Sequence, residues 1–344
     1  MKALLLEAHG GNEKLAVGER AMPSPGPRDV VVKVLAAALN RLDLFVRNGM
    51  PGVKVPFPHV PGSDACGTVL AVGAEVTDLV PGARVVVQPG ISCLRCEFCL
   101  RGEKSVCLRY EILGEQIPGT FCEAVAVPRE NVYPAPAGLT DEECAAFPLA
   151  GLTAWRMLVT RARLLPGETV LIHGIGGGVS TFALQIAKLA GASLVIVTSR
   201  SAGKLTRAKE LGADVTLDST RTDVGREVRA LTGKRGVDVV VDSVGAATWR
   251  ASLQAAAKLG RIVTCGASSG PNPEEELRTI FWKQLTILGS TMGTDAEFAA
   301  LLPAISAGRI RPVVDTVFPL GEARAAYDRL ETNPGIGKIV LRVG

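Results

Sequence analysis

The sequence predicts an α/β protein of two domains, one built on a doubly wound parallel sheet and the other rich in short β-strands. Three observations indicate this fold class: a strand, glycine loop and helix at residues 169–191, a series of alternating strand and helix patterns after it, and a Val-rich segment divided by Pro and Gly before it. The length of 344 residues is sufficient for two domains with cores of their own.

The unit at residues 169–191 has the sequence TVLIHGIGGGVSTFALQIAKLAG. Its glycines leave the backbone free and keep side chains out of the path of a ligand. Apolar residues then recur at helical spacing, and the first N–H groups of that helix face the loop, which favours a pyrophosphate site. A glycine cluster alone would also be compatible with a plain turn, but the strand, loop and helix order favours phosphate binding. The residues expected to form the loop are Gly174, Ile175, Gly176, Gly177, Gly178 and Val179.

Alternating strand and helix patterns follow the loop and predict a Rossmann fold, in which ligands bind at the carboxyl ends of parallel strands. The predicted strands are 194–197, 215–217, 237–241, 261–265 and 286–289, and the predicted helices are 204–211, 222–231 and 248–258.

The segments on either side of this fold are of a different kind. Residues 1–127 contain short Val-rich runs ended by Pro and Gly, which is typical of an irregular β-barrel, with one helix near 41–47. After 293 come a helix, 296–307, and the strand patterns VVDTVFPL and GKIVLRV, which have no place in the parallel sheet. We therefore predict domains at 1–127 and 128–292, with 293–344 returning to the first domain.

Four of the eight cysteines form a cluster in ISCLRCEFCLRGEKSVC, a lobe at about residues 90–110. Tetrahedral zinc needs four such donors within a short segment, and a reducing compartment disfavours disulfides. Free thiols and an iron–sulfur centre are the alternatives, but the fourth cysteine and its proline do not follow in the ferredoxin manner. With all four positions filled by sulfur, the expected single zinc ion is structural. Its predicted ligands are Cys93, Cys96, Cys99 and Cys107.

Composition limits the classes of partner. The net charge of +4 comes from scattered residues, so neither nucleic acid nor a membrane surface is expected as a partner. No stretch approaches the roughly 20 apolar residues of a membrane span, and Glu7 interrupts the short apolar run at the N-terminus. We expect a cytoplasmic protein that acts on a small-molecule substrate.

The end of the second strand bears on the choice between NAD(H) and NADP(H). Folds that prefer NAD usually carry Asp or Glu there, and this chain has Val-Thr-Ser-Arg instead. Ser199, Arg200 and Lys204 offer hydrogen-bond donors and positive charge where a 2′-phosphate would lie. The sequence therefore predicts NADP(H), with NAD(H) possible if Arg200 is merely a solvated loop residue.

The order of these features resembles the medium-chain dehydrogenase/reductase family over essentially the whole chain. The resemblance implies that the first domain is a GroES-like catalytic domain carrying the zinc lobe, and that the second binds the cofactor. Alcohol dehydrogenases of the family also hold a catalytic zinc. The residues at that zinc site are a Cys, a His-Glu pair and a further Cys or acid. The matching positions here are Asn40, Ser63-Asp64 and the neighbourhood of Leu149.

The segment ALNRLDLFVRNG resembles the Asn-x-x-Asp segment of the quinone oxidoreductase-like branch, which works without a catalytic metal. The glycine loop GIGGGVS is likewise of the longer form found in the quinone oxidoreductase-like branch. It carries Ser180 where glycine is usual. Many quinone reductases lack the cysteine lobe that this chain keeps. Asn40 and Asp43 are the candidate catalytic residues, although Asp43 could simply cap or brace the helix near residue 41. Beyond the loop and the group at 199–204, the expected cofactor residues are Thr153, Val244, Gly266, Ala267 and Ser268.

The sequence thus predicts a reductase that transfers hydride from NADPH to an activated C=C bond or a quinone without catalytic zinc. The alternatives are an NAD(P)-dependent alcohol dehydrogenase or aldehyde reductase, and a non-catalytic NADPH-binding protein. A homodimer or homotetramer is expected through the apolar strand LTILGST, which would otherwise be an unprotected sheet edge. His59 is expected to have a structural role, and His173, which opens the glycine turn, is expected to pack near the cofactor.

Overall fold

The computed structural model describes residues 1–332 and 334–343, and its internal contacts divide the chain into two units. The first, here called the β-rich unit, comprises Met1–Ala150 and Gly293–Gly344. The second, here called the parallel-sheet unit, comprises Gly151–Met292. Together they have the predicted fold class, which is confirmed.

The first part of the β-rich unit consists mainly of short strands. Their bounds are β1 (Lys2–Leu6), β2 (Leu15–Glu19), β3 (Asp29–Ala38), β4 (Asp64–Val72), β5 (Arg84–Val87), β6 (Gly90–Ile91), β7 (Glu111–Ile112), β8 (Ala124–Pro128) and β9 (Val132–Pro134). The helices of this part are α1 (Arg41–Asn48), α2 (Glu97–Leu100) and α3 (Asp141–Ala145). The division at 150 lies beyond the predicted 127 because β9 pairs with β5, and α3 packs against β3 and β4.

Helix α4 (Pro148–Trp155) continues into a π-helical turn, Arg156–Arg161, and leads to the parallel sheet. The strands of the sheet are β10 (Thr169–Ile172), β11 (Leu194–Ser199), β12 (Val215–Asp218), β13 (Val237–Asp242), β14 (Ala256–Thr264) and β15 (Thr286–Gly289). The helices between them are α5 (Gly178–Leu189), α6 (Ala202–Glu210), α7 (Val224–Leu231), α8 (Ala246–Ala255) and α9 (Leu277–Lys283).

These strands form a parallel sheet in the order β12-β11-β10-β13-β14-β15. The order reverses between β10 and β13, and in such folds a ligand binds at that switch point. The apolar core beside the sheet includes Leu171, Ile196, Val240 and Ile262, all fully buried. The sheet therefore presents the ends of β10 and β13 side by side, next to the glycine loop.

Helix α8 ends at Ala255, earlier than the predicted 258, and Lys283 binds the carbonyl groups there. Its Nζ donates to the carbonyl oxygens of Leu253, Gln254 and Ala256 at 2.8, 2.9 and 2.8 Å. The last carbonyls of a helix lack partners within the helix, so this ammonium satisfies groups that would otherwise need water.

The last part of the chain contains α10 (Asp295–Ser306), β16 (Val314–Pro319), α11 (Ala323–Thr332) and β17 (Lys338–Arg342). Strand β17 pairs antiparallel with β3, and β16 pairs parallel with β17. The larger sheet of the β-rich unit therefore runs β16-β17-β3-β4-β5-β9, with β8 also paired to β3. As a result, the start of β17 lies beside the end of β3, where α1 begins.

Within the described ranges, no helix combines the length and the apolar character that crossing a bilayer requires.

Candidate functional site

The cysteine lobe brings its four predicted ligands together. Their Sγ atoms all lie within 4.8 Å of one another, with Cys93 to Cys99 at 4.0 Å and Cys96 to Cys99 at 3.5 Å. Four sulfurs placed about 2.3 Å from a tetrahedral zinc ion would be about 3.8 Å apart, so the cluster fits that ion. In residues 1–332 and 334–343, no other group of three or more His, Cys, Asp or Glu side chains is gathered in this way.

Backbone N–H groups support the thiolate form of Cys96 and Cys107, whereas burial raises the pKa of Cys99 to about 11. The N–H groups of Cys93 and Arg109 donate to Cys107 Sγ at 3.2 and 3.3 Å. Hydrogen bonds from the backbone of Cys99 and Leu108 lower the pKa of Cys96 to about 6. Because zinc binds the thiolate, a fold that stabilises this form in advance favours the metal.

The glycine loop joins the end of β10 to the N-terminus of α5. Gly174 has φ +67° and Gly176 has φ +142°, conformations that side-chain-bearing residues rarely adopt. A Cβ atom at Gly174 would lie 2.9 Å from Val244 Cγ2, whereas one at Gly177 would meet nothing within 4 Å. Gly177 therefore presents open backbone at the start of a helix of 12 residues, as a pyrophosphate site requires.

Ser180, which stands where the family usually has glycine, braces this loop from inside. Gly176 N–H donates to its Oγ at 3.3 Å, and that hydroxyl lies 3.0 Å from the carbonyl oxygen of Gly177. The serine side chain is buried, so its polar atom is satisfied by the loop itself. The presence of serine in place of glycine at position 180 therefore leaves the outer face of the loop open.

The three residues expected to read the 2′-phosphate have different surroundings. Lys204 passes over the glycine loop, and a Cβ at Gly176 would lie 2.8 Å from its Cδ and 3.0 Å from its Nζ. Ser199 is buried, and its Oγ accepts the N–H of Ser201 at 3.2 Å. Arg200 is exposed at the end of β11. The positive charge of Lys204 thus lies beside the loop, while that of Arg200 faces solvent.

The remaining predicted cofactor residues lie mostly at the ends of β13 and β14. Val244 N–H donates to Asp242 Oδ1 at 2.9 Å, and the Val244 side chain borders Gly174. Ser268 Oγ donates to the carbonyl oxygen of Ser243 at 3.4 Å, so the turn that contains Gly266 and Ala267 lies beside the end of β13. Thr153 is buried in α4, with its Oγ1 4.0 Å from Met292 Sδ.

In the β-rich unit, Asn40 directly precedes α1 and is its N-cap residue. Its backbone N–H donates to Asp43 Oδ2 at 2.6 Å, and Gly62 N–H donates to Asp43 Oδ1 at 3.1 Å. Burial raises the pKa of Asp43 to about 7, although both N–H groups favour the carboxylate. These contacts brace the start of α1 against the turn at Gly62, which corresponds to the bracing role considered from the sequence.

The Asn40 side chain belongs to a buried network centred on Asp64 and Lys338. Lys338 Nζ donates to Asn40 Oδ1 and, at 2.9 Å, to Asp64 Oδ2. Asn40 Nδ2 donates to the same Asp64 oxygen at 2.9 Å, and its other contact, to the carbonyl oxygen of Ala38, is long at 3.4 Å. Asp64 is 0 % exposed and Lys338 is 4 % exposed, so the ion pair is shielded from solvent.

Asp64 also connects this network to another position where zinc-dependent members of the family carry a ligand. The backbone N–H of Leu149 donates to Asp64 Oδ1 at 2.7 Å. Ser63 turns away, because its Oγ donates to the carbonyl oxygen of Leu113 at 2.7 Å. Positions 40 and 149 are thus brought together around the carboxylate of Asp64, whose other partner is the ammonium group of Lys338.

His59 and His173 each place one ring nitrogen within hydrogen-bond distance of an atom inside the protein. His59 Nε2 is 3.1 Å from the carbonyl oxygen of Gly114, and His173 Nδ1 is 3.3 Å from Thr198 Oγ1. Burial lowers the pKa of both rings, which favours the neutral form.

Lys338 is a residue of this site that the sequence did not indicate. It lies 298 positions from Asn40, so no local motif connects them. The available signal was a lysine at the head of the apolar run Ile-Val-Leu in the last strand, because a charged residue in a buried strand position requires a partner.

Comparisons with known proteins cover both units. Residues 26–137 match the family model "Alcohol dehydrogenase GroES-like domain", and residues 178–307 match "Zinc-binding dehydrogenase". A quinone oxidoreductase of Pseudomonas aeruginosa is 33% identical, with 99% of each chain covered. An acryloyl-coenzyme A reductase of Metallosphaera sedula is 32% identical, also with 99% of each chain covered. A crystal structure of an NAD-dependent alcohol dehydrogenase matches with a TM-score of 0.97 and 47% identity over 100% of both chains.

We predict one zinc ion per chain at the cysteine cluster and no second metal. Cys99→Ser should abolish zinc binding, whereas Cys122→Ser, at a buried cysteine outside the lobe, should retain the ion. Structural zinc contributes on the order of 10 kcal/mol or more, so chelation should make the lobe sensitive to proteolysis. Elemental analysis and limited proteolysis measure both effects. Two zinc ions per chain, or zinc retained by Cys99→Ser, would contradict the prediction.

Proposed function

The chain belongs to the medium-chain dehydrogenase/reductase family and is an NAD(P)-dependent oxidoreductase, and from this premise we propose its reaction. The proposed reaction is hydride transfer from NADPH to an activated C=C bond or a quinone, without a catalytic zinc ion. The supporting observation is the bonding of the Lys338 ammonium group to Asn40 and Asp64.

This ammonium group disfavours a divalent cation at the same place. Asp64 Oδ2 already accepts hydrogen bonds from Lys338 and Asn40, and Asp64 Oδ1 accepts one from Leu149 N–H. A zinc ion would have to displace these donors and lie beside a buried positive charge, at a site that offers no thiolate or imidazole from positions 40, 63, 64 and 149. The donor set therefore favours chemistry without a metal at this site.

Reduction of an enone or quinone requires stabilisation of the negative charge that develops on the acceptor oxygen. The bound nicotinamide supplies the hydride, and we assign the hydrogen-bond donor to Asn40. Its contact with the carbonyl oxygen of Ala38 is longer, at 3.4 Å, than an ordinary hydrogen bond, so that N–H can be redirected to a substrate oxygen at little cost. Asp43 then positions α1, and water supplies the final proton.

Alcohol oxidation or aldehyde reduction is the second candidate reaction. The observation that favours it is the 47% identity to an NAD-dependent alcohol dehydrogenase of known structure. Oxidation of an alcohol needs a base or a metal to remove the hydroxyl proton, and we assign neither role to the residues around Asn40. The two candidates therefore differ in their requirement for a base or a metal at the reacting centre.

The experiment that separates these reactions uses protein shown by elemental analysis to hold one zinc ion per chain. We expect NADPH oxidation with enones or quinones and poor NADP reduction with primary or secondary alcohols. Asn40→Ala should lower kcat about a hundredfold, the usual effect of losing one oxyanion donor. Efficient alcohol oxidation without any enone or quinone reduction would overturn the proposal.

We further propose that the protein prefers NADPH through Arg200. The end of β11 carries no acid to bind ribose hydroxyls, and the exposed side chain of Arg200 makes no hydrogen bond or ion pair with the other residues of 1–332 and 334–343. Its guanidinium group is therefore free to bind a 2′-phosphate. Lys204 lies against Gly176, nearer to the pyrophosphate that both cofactors share.

We predict that Arg200→Ala lowers the NADPH to NADH affinity ratio about tenfold to a hundredfold, because a hydrogen bond to a charged group contributes roughly 1.5 to 3 kcal/mol. Lys204→Ala should weaken both cofactors alike. Arg207→Ala is the matched control, since this arginine of α6 forms an ion pair with Glu210. Titration of cofactor fluorescence measures the ratios, and an unchanged ratio in Arg200→Ala would exclude Arg200 as the reader of the phosphate.

We also propose that the protein is a homodimer or homotetramer joined through β15. This strand ends the parallel sheet, and its Ile287 is 39 % exposed. The preceding α9 exposes Leu277, Phe281 and Trp282, so an apolar surface borders an unpaired strand edge. Pairing with a second copy would cover both features.

We predict that Ile287→Asp converts the oligomer into smaller species, because it places a charge on the pairing surface. Val80→Asp, at an exposed valine in the β-rich unit, is the control and should leave the mass unchanged. Light scattering after size-exclusion chromatography measures the mass. A strictly monomeric wild-type protein at micromolar concentration would contradict the proposal.

A further inference from the structure

The Asn40 amide is held by two partners whose hydrogen-bonding capacities are fixed. A lysine ammonium group can only donate, and an ionised carboxylate can only accept. Lys338 meets Asn40 Oδ1, and Asp64 Oδ2 meets Asn40 Nδ2. The amide can satisfy both partners in one orientation only, with its oxygen towards Lys338 and its nitrogen towards Asp64.

This orientation determines which end of the amide is available to a substrate. In the observed orientation, the second N–H of Nδ2 makes only the long contact with Ala38. If the amide rotated by half a turn, its oxygen would replace that N–H and would repel a developing negative charge. A cation on the amide oxygen also polarises the group and makes its N–H groups stronger donors.

We propose that Lys338 is a positioning residue for the reaction: with Asp64, it fixes the Asn40 amide so that an N–H group is presented to the acceptor oxygen of the substrate. The proposal rests on the proposed function, because it assumes that Asn40 is the donor. Lys338 itself does not contact the substrate and has no part in proton transfer.

Removal of Lys338 alone would confuse positioning with stability. Lys338→Met leaves Asp64 buried without its counter-charge, which destabilises the fold. The double variant Lys338→Met/Asp64→Asn removes both charges and should recover most of the lost thermal stability. In that variant, Leu149 N–H holds the oxygen of the new amide at the place of Asp64 Oδ1, so the NH2 group of residue 64 faces Asn40. That group can only donate, so it no longer favours the observed orientation of the Asn40 amide.

The test is a mutant cycle that compares Lys338→Met/Asp64→Asn (the charge-free pair), Asn40→Ala and the triple variant that combines them. The rates are measured on whichever reaction the wild-type protein catalyses. We expect Lys338→Met/Asp64→Asn to unfold near the wild-type temperature and to lose about tenfold to a hundredfold in kcat with little change in KM. Adding Asn40→Ala to it should lower kcat no further than Asn40→Ala does alone. Lys283→Met is the control for losing a lysine that binds backbone carbonyls, and it should change stability without changing kcat.

The outcomes distinguish this inference from the proposed function. Wild-type kcat in the charge-free pair, or losses that multiply in the triple variant, would overturn the role of Lys338 while leaving Asn40 as the donor. Wild-type kcat in Asn40→Ala would overturn both. Turnover of alcohols alone would overturn the proposed reaction, and the same cycle would still decide whether Lys338 positions Asn40.

Discussion

The buried carboxylate of Asp64 is the constraint that organises the β-rich unit around its candidate site. An unpaired charge in such a place is costly, so the fold must bring donors to it. It obtains them from three distant segments: the side chain of Asn40, the side chain of Lys338 and the backbone N–H of Leu149. The start of α1, the start of β17 and the start of α4 are therefore held at one point by the requirements of a single side chain.

Structural features whose residues lie close together in the sequence could be predicted well. The glycine loop with its strand and helix lies within 23 residues, and the cysteine ligands lie between 93 and 107. In both cases the residue types and their spacing carry the chemistry: backbone freedom at a helix N-terminus in one, and four soft donors in the other. The parallel, doubly wound character of the second sheet followed from the repeated βα pattern, because such repeats have few possible arrangements.

The parts that could not be predicted depend on side chains that meet across the fold. Nothing near Asn40 in the sequence indicates Lys338, which reaches it only because β17 pairs with β3. The separation of Lys204 from Arg200 is of the same kind, since it depends on the path that one side chain takes over Gly176. Local sequence gives the residue types at the end of β11, but packing decides which charge lies next to which part of a ligand.

The pairing of β17 with β3 also has a consequence for biosynthesis. Asp64 and Lys338 are separated by 274 positions, so at ordinary rates of translation roughly 14 to 55 s pass between their syntheses. During that interval the whole parallel-sheet unit emerges, while residues 36–38 of β3 can pair with β4 but still lack β17, their second partner strand in the native sheet. Synthesis of the β-rich unit thus begins first and is completed last. Its nascent form carries the Asp64 carboxylate without its lysine partner, beside an open strand edge. Exposed edges of this kind bind chaperones and promote aggregation.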